Sequence, residues 1–232
     1  MKKRCLITAV LLLTAFAFSA LAESVPLDAA HFPDARFRDH LAQTFDVDGD
    51  GTLSDGERDV VRVLWVQEKG ISSLEGIGWF PLLESLACWD NALTVLDLRG
   101  NPALRDIACG NNRLTELKVN GCPLLEDLAC FSNSLTYLDL SGNPALRYLT
   151  CQDNPLTGIA LNGRAKLDML QADSIPGDIN SDYTVDGRDL LRLIRHLAGH
   201  GIAIDDAAAD VNGDGTIDGR DVLRLAKRLA GN

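Results

Sequence analysis

Apolar residues follow four different rhythms along this chain, and each rhythm predicts a different element. After the basic start Lys2, Lys3, Arg4, residues 5–18 are almost wholly apolar and lead into Ala20-Leu21-Ala22. That layout predicts a secretory signal peptide over 1–22, too short an apolar run for a spanning anchor, with the mature chain starting near Glu23. Residues 32–45 alternate in the manner of an amphipathic helix. From residue 81 a leucine pattern recurs with a fixed period, the signature of a repeat array. Two further helical runs, LLRLIRHLAG and VLRLAKRLAG, stand 32 residues apart near the C-terminus.

The repeat is 21 residues long. Segments 81–101, 102–122, 123–143 and 144–164 align without a gap as P-x-L-x-x-L/I-x-C-x-x-N-x-L-T-x-L/I-x-L/V-x-x-x, and a partial copy starts at Ala165. In the first copy Leu83, Leu86, Cys88, Leu93, Leu96 and Leu98 are expected to point inward. One such unit cannot bury its apolar face alone, so the copies must stack. The residues resemble the leucine-rich repeat family in its short bacterial form, over about residues 64–172. That resemblance implies a β-rich solenoid with a short parallel strand on each side of every coil. It also implies a buried ladder of Asn91, Asn112, Asn133 and Asn154, and a second ladder of Asn101 and Asn143 from which Cys122 and Arg164 depart.

Five cysteines follow the leader: Cys88, Cys109, Cys122, Cys130 and Cys151. Four stand in one column of the repeat. In-register parallel strands lie about 4.8 Å apart, wide for a disulfide whose Cβ atoms sit about 3.8 Å apart, so the column reads as a packing ladder. Cys122 leaves an odd thiol whose pairing stays open. Outward columns of the first strand carry Ser85/Asp106/Asp127/Tyr148, Ala87/Ala108/Ala129/Thr150 and Trp89/Gly110/Phe131/Gln152. Trp89, Phe131 and Tyr148 flanking an alanine floor are ligand candidates for a peptide or sugar; the alternative is that they cover neighbouring loops. The second strand's outward residues, from Val95 to Asp139, read as a solvated face.

Charge sharpens the picture at three places. The formal net charge is −11, and loss of a three-cation leader would make it about −14, a poor match to nucleic acid. Much of the acidity is local. Asp46-x-Asp48-x-Asp50-Gly51-x₅-Glu57 fits the calcium-loop pattern, with the Thr52 carbonyl as a further ligand. It resembles a single EF-hand, which is expected to act as an N-terminal cap for the solenoid. Asp178, Asn180, Asp182, Thr184 and Asp189 precede the first C-terminal helix, and Asp210, Asn212, Asp214, Thr216 and Asp221 precede the second.

This duplicated loop-helix resembles a type I dockerin over about 177–232. The resemblance implies two calcium ions held by those ten residues, the threonines through their backbone, and a cohesin as partner. Tyr183 stands where the first loop should have glycine, and a left-handed backbone there costs a non-glycine residue about 1–2 kcal/mol, which leaves that site's occupancy open. Arg188, Arg192 and Arg195 form a basic stripe that Arg220, Arg224 and Lys227 repeat. The family's contact positions fall on Gly187-Arg188 and Gly219-Arg220, so the resemblance implies that either helix can lead. Leu190, Leu193, Ile194 and Leu197, with Val222, Leu225, Ala226 and Leu229, are expected to close the small core.

The expected organisation is multidomain: leader 1–22, EF-hand-like helical cap 23–63, leucine-rich repeats 64–175 and an all-α dockerin 176–232, with three calcium ions in all. The expected function is a secreted, non-catalytic binding protein, docked to a cohesin of a cellulosome-like scaffold, whose repeats hold a protein or glycan. The alternatives are a plant-polysaccharide-active enzyme, since Asp106 and Asp127 would stack about 5 Å apart, and a surface adhesin or protease inhibitor. Against an enzyme, the repeats contain no histidine and no G-x-S-x-G; His31, His40, His196 and His200 lie in the cap and the dockerin-like region. The repeat ligand and the particular cohesin are not readable from these residues.

Overall fold

The computed structural model describes residues 24–161, 167–173, 175–182 and 184–231. The expected leader, together with Arg164, Ala165 and Tyr183, lies outside the described residues. The chain opens with β1 (Val25–Pro26), α1 (Ala35–Thr44), β2 (Thr52–Leu53), α2 (Asp55–Asp59) and β3 (Val63–Trp65). Helix α1 is shorter than the amphipathic run because Asp34 caps it, accepting from the N–H groups of Arg36 and Phe37. The same carboxylate accepts from the Ser72 N–H at 2.8 Å and hydroxyl at 2.7 Å, tying the helix start to the first coil. Phe32, Phe37, Leu41 and Leu53 are fully buried in one continuous core with Ile77, Phe80 and Leu83. The N-terminal segment thus covers the open end of the array. β1 pairs antiparallel with β2, Val25 opposite Leu53, so the strand edge of the first acidic loop is filled from within the chain.

Nine three-residue strands follow: β4 (Ser85–Ala87), β5 (Val95–Asp97), β6 (Asp106–Ala108), β7 (Glu116–Lys118), β8 (Asp127–Ala129), β9 (Leu138–Leu140), β10 (Tyr148–Thr150), β11 (Ile159–Leu161) and β12 (Met169–Gln171). One side of the coil is a six-stranded parallel sheet in the order β12-β10-β8-β6-β4-β3. The other side carries the parallel pairs β5–β7 and β9–β11. Every step keeps register, so Leu86, Ile107, Leu128 and Leu149 stack as one buried column.

Both asparagine ladders form. Asn133 is representative: its amide donates to the carbonyls of Cys109, Cys130 and Phe131 at 3.0–3.2 Å, while its Oδ1 accepts from the Leu114 N–H at 2.9 Å. Each ladder residue therefore stitches its own turn to the preceding coil, where no strand satisfies the backbone. The residue before each one, Asp90, Asn111, Ser132 and Asp153, turns left-handed with φ of 51–57°. In the second ladder Asn101 donates to the carbonyls of Ile77 and Phe80, both at 2.9 Å. Cys122 keeps the equivalent of the first bond, its Sγ donating to the Leu98 carbonyl at 3.3 Å. Its departure from the pattern is thus a weaker version of the same device.

The thiols of Cys88, Cys109, Cys130 and Cys151 are fully buried and free. Burial pushes those of Cys88 and Cys151 up to about 12, consistent with cysteines used for packing. Arg62, Glu84, Arg105, Glu126, Arg147 and Asp168 alternate in sign from coil to coil and pair as Arg62–Glu84 at 2.8 Å, Arg105–Glu126 at 2.7 Å and Arg147–Asp168 at 2.7 Å.

Beyond β12 come α3 (Gly187–Leu197), α4 (Asp206–Ala209) and α5 (Gly219–Leu229). A second, small core of Ile179, Leu193, Ala209 and Leu225 holds α3 against α5. Ile175 is buried in the repeat core, and Val185 packs against both cores. Among the described residues no helix is long and apolar enough to cross a membrane.

Candidate metal centres and interaction faces

The three acidic loops share one wiring scheme. In the N-terminal loop, Asp46 accepts from the N–H groups of Gly49, Asp50 and Gly51 at 2.8–3.1 Å, and Asp50 accepts from the Thr52 N–H and hydroxyl, both at 2.8 Å. The last loop repeats this: Asp210 accepts from Gly213, Asp214 and Gly215 at 2.8–3.0 Å, and Asp214 from the Thr216 N–H and hydroxyl. In the middle loop Asp178 and Asn180 accept from the Asp182 N–H at 3.0 and 2.8 Å, and Asp182 accepts from the Thr184 N–H. These bonds curl each acidic segment back on itself.

The closing acid completes the loop. Asp189 accepts from the N–H groups of Asn180 at 3.1 Å and Asp186 at 2.8 Å; Asp221 does the same with Asn212 and Asp218. Glu57, one methylene longer, spans from the Val47 N–H to the Ser54 N–H and hydroxyl. In each case the acid also completes a capping box at the start of α2, α3 or α5.

One oxygen each from Asp46, Asp48 and Asp50, and one each from Asp178, Asp182 and Asp189, lie within 4.8 Å of one another. Asp189 and Asp221 are fully buried and Asp178 nearly so. Buried carboxylates converging on one point repel each other unless a cation sits among them. The donor set is all oxygen, which suits a hard divalent ion such as calcium. The residues fit that group.

The loops differ in their turns. Gly49 and Gly51, and Gly213 and Gly215, supply the left-handed positions with φ of 72–80°. In the middle loop Ser181 holds the first of those positions at φ 58°. The sequence reading singled out Tyr183 and passed over Ser181, although alignment with Gly49 and Gly213 marks it.

The basic stripes divide into two kinds of residue. Arg188 pairs with Asp186 at 2.9 Å and Asp182 at 3.2 Å; Arg220 pairs with Asp218 at 2.8 Å and Asp214 at 2.7 Å. Hydrogen bonds from these arginines hold the carboxyls of Asp186 and Asp218 below the usual carboxylate range. Gly187 and Gly219 open the two helices. Further along, Arg192 donates to the Ala203 carbonyl at 2.8 Å, while Arg195, Arg224 and Lys227 are exposed or nearly so and make no ion pair among the described residues. The expected core is corrected at three positions. Ile194, Leu197 and Leu229 are 44%, 40% and 37% exposed. About 100° of rotation separates successive residues on a helix, so once Leu193 faces inward Ile194 is turned off the core. Leu197 and Leu229 share the inward face but are the last residues of α3 and α5, beyond the reach of the small core.

On the repeat face, Tyr148 lies beneath the Arg147 guanidinium, 5.6 Å from its ring centroid. Trp89 and Phe131 are half-buried. The Phe131 ring lies over Gly110, where a Cβ would come within 2.7 Å of it, so this ring covers the neighbouring coil. Asp106 and Asp127 are in register, and burial followed by repulsion from Asp106 raises the Asp127 carboxyl. The sequence reading missed Trp65. It is 65% exposed at the head of the column continued by Ala87, Ala108 and Ala129, in a coil that precedes the aligned repeats.

Comparison with known proteins agrees with both halves. Residues 176–230 match the dockerin type I domain family. The functional domain of InlJ from Listeria monocytogenes, described as including a cysteine ladder, is similar at 33% identity and a TM-score of 0.59, covering 65% of this chain. The chain spans 33% of that structure's length. Internalin C2 from Listeria monocytogenes str. 4b F2365 matches at 16% identity and a TM-score of 0.30, over 66% of this chain and 99% of that one. The search of curated proteins found no match. The chain is thus a multidomain protein with a leucine-rich-repeat-like β-solenoid body and a C-terminal dockerin type I region that holds helices α3 and α5.

Proposed function

We propose that this is a secreted, non-catalytic docking protein: its C-terminal domain binds a cohesin of a cellulosome-like scaffold in a calcium-dependent manner, and its repeats hold a protein or glycan target. The carrying observation is the duplicated loop-helix, with fully buried acids Asp189 and Asp221 closing the two loops. A core of four buried side chains is small for a domain of this size, so metal binding would supply much of its folding energy. In this reading Asp178, Asn180, Asp182, Thr184 and Asp189 hold one calcium, Asp210, Asn212, Asp214, Thr216 and Asp221 a second, and Asp46, Asp48, Asp50, Thr52 and Glu57 a third at the N-terminal cap.

Calcium would neutralise the converging carboxylates, fix the helix starts and so present Arg188, Arg192 and Arg195, or Arg220, Arg224 and Lys227, to the partner. The repeat face with Trp65, Trp89 and Tyr148 is the proposed seat of the target, and Phe131 supports it from beneath. The test is capture of the full chain on a panel of immobilised type I cohesin domains, with calcium and with excess chelator. Capture that needs calcium supports the reading; undiminished capture in chelator, or none in calcium, refutes it.

A further inference from the structure

Helices α3 and α5 are near copies in sequence but not in surroundings. At the position where α3 has His196, α5 has Arg228. His196 turns to its own domain, its Nδ1 lying 2.8 Å from the Ile202 carbonyl oxygen. Arg228 instead bridges to the solenoid, donating from Nη1 to the carbonyl of Pro176, at the start of its own domain, at 2.6 Å and from Nη2 to the Thr157 carbonyl of the last coils at 3.3 Å. Its neighbour Leu229 lines a cleft opposite Tyr137, Thr157 and Ile159 of the last coils. Arg228 also borders the surface groove beside Arg224 and Lys227, so the body of the solenoid stands next to that part of the α5 stripe. Beneath, Val185 packs against both cores and fixes the seating. Among the described residues no side chain of α3 bonds to the solenoid or lines that cleft.

The two faces also differ in apolar content. Leu191 is 47% exposed and Ile194 44% exposed on α3. On α5, Leu223 is 56% exposed but the partner of Ile194 is Ala226, small and half-buried. Arg188, Leu191, Arg192 and Arg195 border a groove closed by Asn180 and Ile202, with Arg192 held in place by the Ala203 carbonyl.

Resting on the cohesin reading above, we propose that α3 alone leads the contact, gripping an acidic partner surface that carries an apolar knob, and that the solenoid closes the approach along the end of α5. The repeats then hang from the scaffold in one orientation rather than two. The pseudo-symmetry visible in the sequence is broken by what α5 touches.

The experiment is calorimetric titration of the calcium-loaded full chain with type I cohesin domains, comparing Leu191→Asp/Arg195→Glu on α3 with Leu223→Asp/Lys227→Glu on α5. All four positions are exposed, and circular dichroism with calcium checks that both variants fold. The α3 pair is expected to weaken binding about 100-fold, the scale of interface hot spots, and the α5 pair by about threefold or less. Equal tolerance of both pairs, or the larger loss on α5, overturns the inference and leaves the cohesin reading standing. No binding by the unaltered chain removes that reading and the inference with it.

Discussion

The repeat body and the C-terminal domain are held together by opposite means. The body has an unbroken apolar core from Val25 to Ile175, and its buried polar groups are neutral amides whose N–H groups donate to backbone carbonyls. Among the described residues the C-terminal domain has five fully buried apolar side chains of its own, Ile179, Leu193, Ala208, Ala209 and Leu225, and its buried polar groups are acids, Asp178, Asp189 and Asp221. Repetition lets every coil bury its face on the next, so stability accumulates along the array. A two-helix unit has no such neighbour. It gathers like charges instead, an arrangement favourable only with a cation among them. The contrast gives the C-terminal domain, and not the repeat array, a physical use for a bound cation.

The most direct way to break the comparison is to remove calcium. Chelation is expected to abolish the helical signal of α3 and α5 while amides of β4, β6, β8 and β10 keep their hydrogen-exchange protection; saturating metal at about a thousand times its Kd is worth about 4 kcal/mol. Parallel loss of protection in both regions would erase the distinction. Next in size, Asn133→Ala removes three donated bonds and one accepted bond from the body. It should cost about 3 kcal/mol by denaturant titration and leave calcium affinity unchanged, since buried backbone groups lose their partners.

Alkaline titration separates the regions a third way. Burial holds the Cys88 and Cys151 thiols at about 12, against about 8.5 in an unfolded chain. Below about pH 8.5 both states keep their protons and the body's stability is level. As pH rises from there toward 12 the unfolded chain sheds protons that the folded one retains, so stability falls. The C-terminal domain, with no cysteine after Cys151, should show no such loss, as fluorescence and circular dichroism melts at stepped pH would reveal. The smallest effect lies inside the metal region. Ser181→Gly should stabilise the calcium-loaded first loop by about 1 kcal/mol, and Gly213→Ser should destabilise the second by a similar amount, read as opposite shifts in calcium midpoint.

Much of this was legible in the order of residues. The 21-residue period gave the repeat array and its inward columns, and the family resemblance it carries implied the solenoid and both ladders, because each coil is a local unit whose neighbours are copies of itself. The acidic loops were legible for the same reason, since their acids and amides fall within twelve residues. Legibility ended where contacts became non-repeating. Ile194, Leu197 and Leu229 look like core residues by composition and are exposed because the domain has too small an interior to cover them. Trp65 belongs to a coil outside the aligned copies, and the alternating column from Arg62 to Asp168 becomes meaningful only once the coils stack.

The sequence by itself determined the class of each part: a leucine ladder, three oxygen-rich loops, two basic helices. Those features depend on spacing, and spacing is written in the chain. Only the tertiary structure decided that β1 fills the first loop's strand edge, that Val185 joins two cores, and that Arg228 anchors one of two matching helices to the solenoid. Such contacts join residues dozens of positions apart through geometry that no local pattern encodes, and they make copies of one motif unequal.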